Sequence, residues 1–218
     1  MPAAAASSLL AALLDEGCRP VEAARTRVSV HYETGRADVP VLCVGLPSAV
    51  RLPNMMVSPV LPSGPVRVLS GALHAGGSVW RVGRWWQPPR PHTSADLRGA
   101  VDLSPGDLVG RGPGLTPAGD DVVAGALVAG CAVRHPALGR WRSATRDALH
   151  ARRTTAVSWG LLHHALDGWA TPELAAYVES PGPGPTRDRL LAVGSSSGAA
   201  LAEGVDQVLD VGVREGAA

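Results

Sequence analysis

The apolar positions of this chain change their period near residue 90. Between residues 27 and 84, Val28, Val30 and Tyr32 alternate with polar neighbours, and short β-prone runs follow at 39–46, 55–61, 66–69 and 79–82. Pro47, Pro53, Pro59, Pro62, Gly64, Pro65, Gly76 and Gly77 break these runs at intervals too short for a crossover helix, which favours a small barrel or sandwich over a parallel sheet. Ahead of them, Leu9, Leu10, Leu13 and Leu14 fall at helical spacing and predict a short N-terminal helix. Trp80, Trp85 and Trp86 close this part and read as packing aromatics, with a ligand platform as the alternative. Residues 87–92, with Pro88, Pro89 and Pro91, read as a stiff linker.

From residue 96 onward the period is helical and predicts helices at 117–134, 150–166, 171–179, 187–192 and 198–211. The most apolar run, 122–133, is well short of the roughly 20 residues that span a bilayer, so it reads as a buried helix. Gly125 and Gly130 weaken that helix by about 1 kcal/mol each relative to alanine, so close packing or a ligand must compensate. Residues 180–185 form a surface loop, and Asp102 and Asp107 flank a turn at Pro105-Gly106. The expected fold is α+β, with an N-terminal β-rich barrel or sandwich-like half followed by a C-terminal α-helical half. The expected domains are 1–92 and 93–218.

Composition narrows the chemistry. Twenty basic and 19 acidic residues leave a net charge of +1 with no basic stripe, which argues against nucleic acid as a partner. Every basic residue is arginine. Without lysine there is no Schiff base, and the glycine-rich segment at 110–121 is not a Walker A loop. Cys18, Cys43 and Cys131 are odd in number and form no C-x-x-C pair, which fits neither a disulfide framework nor a cysteine zinc site. A cytoplasmic protein with no membrane partner and no secretory leader is expected.

The candidate chemistry lies in Gly110-Arg-Gly-Pro-Gly-Leu-Thr-Pro-Ala-Gly-Asp-Asp121. Gly110, Gly112 and Gly114 permit positive φ, Thr116 is the expected N-cap and Pro117 suits the first helical position. Amides converging there, at the positive end of a helix dipole, suit a phosphate or carboxylate. Asp120 and Asp121 are candidates to accept a proton or to hold a cation, with Mg²⁺ as the possible cofactor.

Two further segments carry candidates. Arg152-Arg-Thr-Thr-Ala-Val-Ser158 would place Arg152 with Thr155, and Thr154 with Ser158, on shared helical faces able to bind oxyanions. Gly194-Ser-Ser-Ser-Gly198 satisfies G-x-S-x-G, but no histidine follows His164, so Ser196 lacks the partner of a hydrolase nucleophile. It reads instead as a small-residue turn that offers Ser196 and Ser197 to a ligand. The adjacent His163 and His164 diverge around a helix by about 100° and do not chelate one metal.

With these residues assembled, the chain resembles a bacterial family of AllH type, whose founding member is a subunit of oxamate carbamoyltransferase. The resemblance rests on 110–121, on Arg153-Thr-Thr-Ala-Val-Ser158 and on 194–198, and departs from the family pattern where Ser195 and Ala200 replace an expected histidine and aspartate. It implies carbamoyl transfer between oxamate and phosphate in purine-nitrogen catabolism, with other enzyme subunits as partners and a small anionic metabolite as ligand: phosphate, carbamoyl phosphate or a carboxylate. Asp120, Asp121 and Thr116 are then the expected catalytic residues. Arg111, Gly112, Gly114, Leu115, Arg152, Arg153, Thr155, Ser158, Ser196 and Ser197 are the expected ligand-binding set. A non-catalytic ligand-binding subunit and a metal-dependent hydrolase or phosphotransferase using the Asp pair stand as alternatives.

Overall fold

The structure is a computed structural model that describes residues 3–99, 101 and 103–210. The chain divides into two compact units, Met1–Pro88 with Trp159–Leu161, and Pro89–Ser158 with Leu162–Ala218. No helix among the described residues is long and apolar enough to cross a membrane.

The first unit is an eight-stranded mixed sheet. Its elements are β1 (Ala3–Ser7), α1 (Ala11–Glu16), β2 (Val21–Arg25), β3 (Ser29–Glu33), β4 (Val41–Gly45), β5 (Met55–Val57), β6 (Val66–Leu69), β7 (Ala72–Ala75) and β8 (Ser78–Trp86). The strand order is β2-β3-β4-β5-β1-β8-β7-β6, with β1 parallel to β8, β4 parallel to β5, and the other pairs antiparallel. A backbone bridge between Cys18, just ahead of β2, and Val68 of β6 brings the two edges together, so the sheet curls into a nearly closed barrel. Alternation selects its core: Val30 and Tyr32 of β3, Leu42 and Val44 of β4, Val66 and Val68 of β6 and Trp80 of β8 pack with Leu10, Leu13 and Leu14. Trp80 donates its indole N–H to Ser58 Oγ at 3.0 Å, whereas Trp85 is half exposed.

The β-rich reading holds, with additions. Strands β1, β2 and β7 were not anticipated, because β1 and β7 are rich in alanine and β2 alternates weakly. The sheet is not a parallel one, as expected, but it does contain two parallel pairings, β1 with β8 and β4 with β5.

The second unit is helical: α2 (Pro105–Leu108), α3 (Ala118–Val133), α4 (Leu138–His150), α5 (Ala156–Ala165, whose middle turn belongs to the first unit), α6 (Pro172–Glu179), α7 (Pro185–Leu191) and α8 (Ser197–Val208). Helix α3 is buried from Gly119 to Gly130 and packs against α8 backbone to backbone. A Cβ on Gly125 would sit 2.1 Å from the Leu201 carbonyl oxygen, and one on Gly204 2.0 Å from that of Val122. The expected compensation for glycine in α3 is therefore this close approach. The Pro105-Gly106 turn is the short helix α2, and Asp102 and Val211 lie outside the described residues.

Two helix boundaries need correction. Thr116 is not the N-cap of α3: the cap position belongs to Pro117, in extended conformation at φ −50° and ψ 133°, without a side-chain cap. The helix expected at 150–166 starts six residues later, and a further helix that was not anticipated, α4, precedes it. Helix α4 ends at His150, Arg152 turns into the left-handed region at φ 50°, and α5 begins only at Ala156. Arg152, Arg153, Thr154 and Thr155 thus share no helical face; Thr155 is instead the N-cap of α5, its Oγ1 accepting from the Ser158 amide at 3.2 Å.

Candidate functional site

The glycine-rich loop of the second unit is held open by interactions at its two ends. Gly110, at φ 81°, passes so close to the Arg153 carbonyl oxygen that a Cβ would sit 1.9 Å from it. At the far end the Gly119 amide donates back to Arg111 O at 2.9 Å, and the Asp120 and Asp121 amides donate to Pro117 O at 2.9 and 3.4 Å. Those first-turn amides are spent within the chain. The amides of Gly112, Gly114, Leu115 and Thr116, by contrast, make no hydrogen bond among the described residues, and Gly112, Gly114 and Leu115 are exposed.

Two side-chain bonds and the chain itself bring three helix starts to this loop. Thr155 donates its hydroxyl to Leu115 O at 2.6 Å, tying the start of α5 to the loop. Thr116 Oγ1 and Ser197 Oγ lie 2.9 Å apart, tying in the start of α8. Helix α3 begins directly after the loop. The aligned peptide dipoles of each helix leave its N-terminus partly positive even where first-turn amides are capped, so three of them here make a local field suited to an anion. Beside the loop, Asp107, Val109, Gly110, Arg111 and Arg153 line an open pocket of about 670 Å³.

The two aspartates have different surroundings. Asp120 is fully buried: Oδ1 accepts from the Gly110 amide at 2.7 Å and Oδ2 from the Thr154 hydroxyl. It staples the loop's first glycine to the segment ahead of α5. Asp121, 1% exposed, has Oδ2 without a partner. Burial pushes its carboxyl up to about 7, a hydrogen bond from Ser197 opposes the rise, and the Asp120 charge adds to it.

The two carboxylates differ in direction as well as in partners. Successive helical residues point about 100° apart, and both oxygens of Asp120 are already engaged by the chain. Among the described residues no group of three or more His, Cys, Asp or Glu side chains is placed to hold a metal ion.

The other sequence candidates scatter. Arg111 and Arg153 are exposed at the pocket, with Arg153 Nη1 donating to Gly106 O at 2.6 Å. Arg152 is exposed and does not line that pocket. Ser158 is fully buried, with its hydroxyl unpartnered. Ser196 is exposed and caps α8 without a side-chain bond, while its neighbour Ser197 makes the contacts with Thr116 and Asp121. Sequence reasoning overlooked Thr154 as the partner of Asp120 and Asp107 as a pocket wall. The Thr-Thr pair ahead of an apolar helix, with one hydroxyl free once the other caps, was the available signal for Thr154.

Residues 108–209, just under half of the chain, match the sequence model of a family described as oxamate carbamoyltransferase subunit AllH. No curated protein and no solved structure matches the chain.

Proposed function

We propose, from the AllH-like family assignment of residues 108–209, that the chain is a subunit of a carbamoyl-transferring enzyme and binds the oxyanion of its substrate on the 112–116 loop. The observation that carries this reading is the meeting of three helix N-termini, those of α3, α5 and α8, at a loop whose four amides make no hydrogen bond among the described residues. In oxalurate phosphorolysis a phosphate oxygen bonds to the carbamoyl carbon, the bond from that carbon to the oxamate nitrogen breaks, and the nitrogen gains a proton. The loop amides and dipoles hold the phosphate, and Arg111 and Arg153 at the pocket neutralise the second anion. Asp121, protonated near neutrality, supplies the proton through the Ser197 and Thr116 hydroxyls, while Ser158, buried under the start of α5, lies out of the ligand's reach. Asp120 is a positioning residue that fixes Gly110. The unmatched His and Asp of the family pattern, here Ser195 and Ala200, fit a site completed by another subunit.

A thermal-shift panel of carbamoyl phosphate, oxamate, oxalurate and inorganic phosphate, with and without Mg²⁺, tests this reading. Binding raises the melting temperature by mass action. Phosphate and carbamoyl phosphate are expected to stabilise the protein without Mg²⁺, and Asp121→Asn to abolish the extra stabilisation by carbamoyl phosphate while leaving the protein folded. Stabilisation that appears only with Mg²⁺ would favour the metal-dependent hydrolase reading instead.

A further inference from the structure

The barrel of the first unit has a gap in its wall. Edge strands β2 and β6 run antiparallel and are tied at one end by the Cys18–Val68 bridge, with N···O distances of 3.1 and 2.9 Å. They are tied again at the far end of β2, where Arg25 Nη2 donates to Pro62 O at 3.1 Å. Between these ties no backbone hydrogen bond joins the two edges among the described residues. The sequence supplies the reason: Pro20 and Pro65 have no amide to donate, and Gly64 turns to φ 73°.

The opening is a cleft of about 420 Å³ with mostly apolar walls, lined by Arg19, Val21, Glu22, Tyr32, Pro65 and Arg67 among others. Tyr32, 1% exposed, lines it from within; its buried hydroxyl proton meets no acceptor among the described residues, and its neighbour Arg25 can only donate to it. Arg25 lies nearby but directs its guanidinium to Glu22, at 2.8 and 2.6 Å, and to Pro62. A buried hydroxyl proton without an acceptor costs about 1–3 kcal/mol, so it marks a place where an acceptor is missing. Burial pushes the phenol up to about 12, against the pull of Arg25, so it is a donor throughout the physiological range. At the mouth, exposed Arg19 and Arg67 are paired with no carboxylate among the described residues. An added β-strand would find edges short of donors here, whereas a small molecule needs none from the backbone.

We propose that this gap binds a small organic carboxylate with an apolar body and a second hydrogen-bond acceptor at its other end. The carboxylate lies between Arg19 and Arg67, the body fills the apolar walls, and the distal acceptor takes the Tyr32 proton. The volume lies within the range of small-molecule sites, roughly 300–1,000 Å³. This site belongs to the first unit and is independent of the anion loop.

The test is calorimetric titration of the full chain with 4-hydroxyphenylacetate, which has all three features. Its analogues 4-hydroxyphenylethanol, without the carboxylate, and phenylacetate, without the distal hydroxyl, are the controls. Both controls are expected to bind about tenfold more weakly. Arg67→Ala and Arg19→Ala should each weaken 4-hydroxyphenylacetate by a similar factor and leave 4-hydroxyphenylethanol unchanged. Tyr32→Phe should weaken 4-hydroxyphenylacetate but not phenylacetate, because only the former presents a distal acceptor to the phenol. No heat at millimolar ligand, equal affinity for all three compounds, or binding that survives all three substitutions would overturn the proposal.

Discussion

The two units are held together by opposite means. The barrel is filled by large side chains, with Leu10, Leu13, Leu14, Tyr32, Leu42 and Leu73 all essentially inaccessible. The centre of the helical unit is packed by their absence, with Gly125 and Gly204 letting α3 and α8 approach until backbone meets backbone. The barrel should therefore be sensitive to what is taken away and the helical unit to what is added. This difference matters for the candidate site, because the starts of α3 and α8 stay together at the 112–116 loop only while the crossing is tight.

The largest expected effect comes from adding volume to that crossing. Gly204→Val places side-chain carbons inside the Val122 carbonyl and should cost about 4 kcal/mol in chemical denaturation, with loss of anion-dependent stabilisation. Removing volume from the barrel follows: Leu73→Ala should cost about 3 kcal/mol as a cavity forms, yet leave anion binding intact. If Gly204→Val proves neutral, or if Leu73→Ala abolishes anion binding, the contrast between the units fails.

Asp120→Ala is next. It strands the Gly110 amide and frees the Thr154 hydroxyl, and should cost about 2 kcal/mol. Asn at the same position retains only one acceptor oxygen and should recover part of this loss, as equilibrium denaturation of the two variants would show.

The smallest effect is a slope. Asp121 has its folded-state pKa raised from the usual carboxylate range to about 7, so its contribution to stability is present at low pH and is lost as pH rises through about 7. Buried His31 and His164, held down to about 4 and about 3 chiefly by burial, act in the other direction: their contribution is present above the ordinary histidine range and is lost on acidification. Against this background, Asp121→Asn should gain stability relative to the parent protein as pH rises from 4 to 7. Parallel stability–pH curves for the two proteins would remove Asp121 as a buried acid.

Much of the barrel was legible because alternation and proline punctuation are local signals. Val30 and Tyr32, the 41–45 run and 66–69 are all strands. Strand β1 was hidden because a run of alanines has little intrinsic preference for a sheet, and its place between β5 and β8 is a tertiary choice. Helix α4 was missed although Trp141, Thr145, Ala148 and Leu149 keep a helical spacing, since arginines dominate its exposed face. At the site, the loop was visible as glycine density, and the doubled aspartate as a motif. What the sequence could not reveal was that the two carboxylates have different partners. That division depends on Thr154 and Ser197, which are distant in the chain and become neighbours only through folding.

The central claim, an anion held by the free amides of the 112–116 loop, is tested most directly by following those amides in a ¹⁵N–¹H correlation spectrum during titration with inorganic phosphate. The Gly112, Gly114, Leu115 and Thr116 signals should shift together along one saturating curve and gain protection from hydrogen exchange. If these four signals stay fixed while phosphate binds elsewhere, or if the loop amides are already protected in the free protein, the account is contradicted.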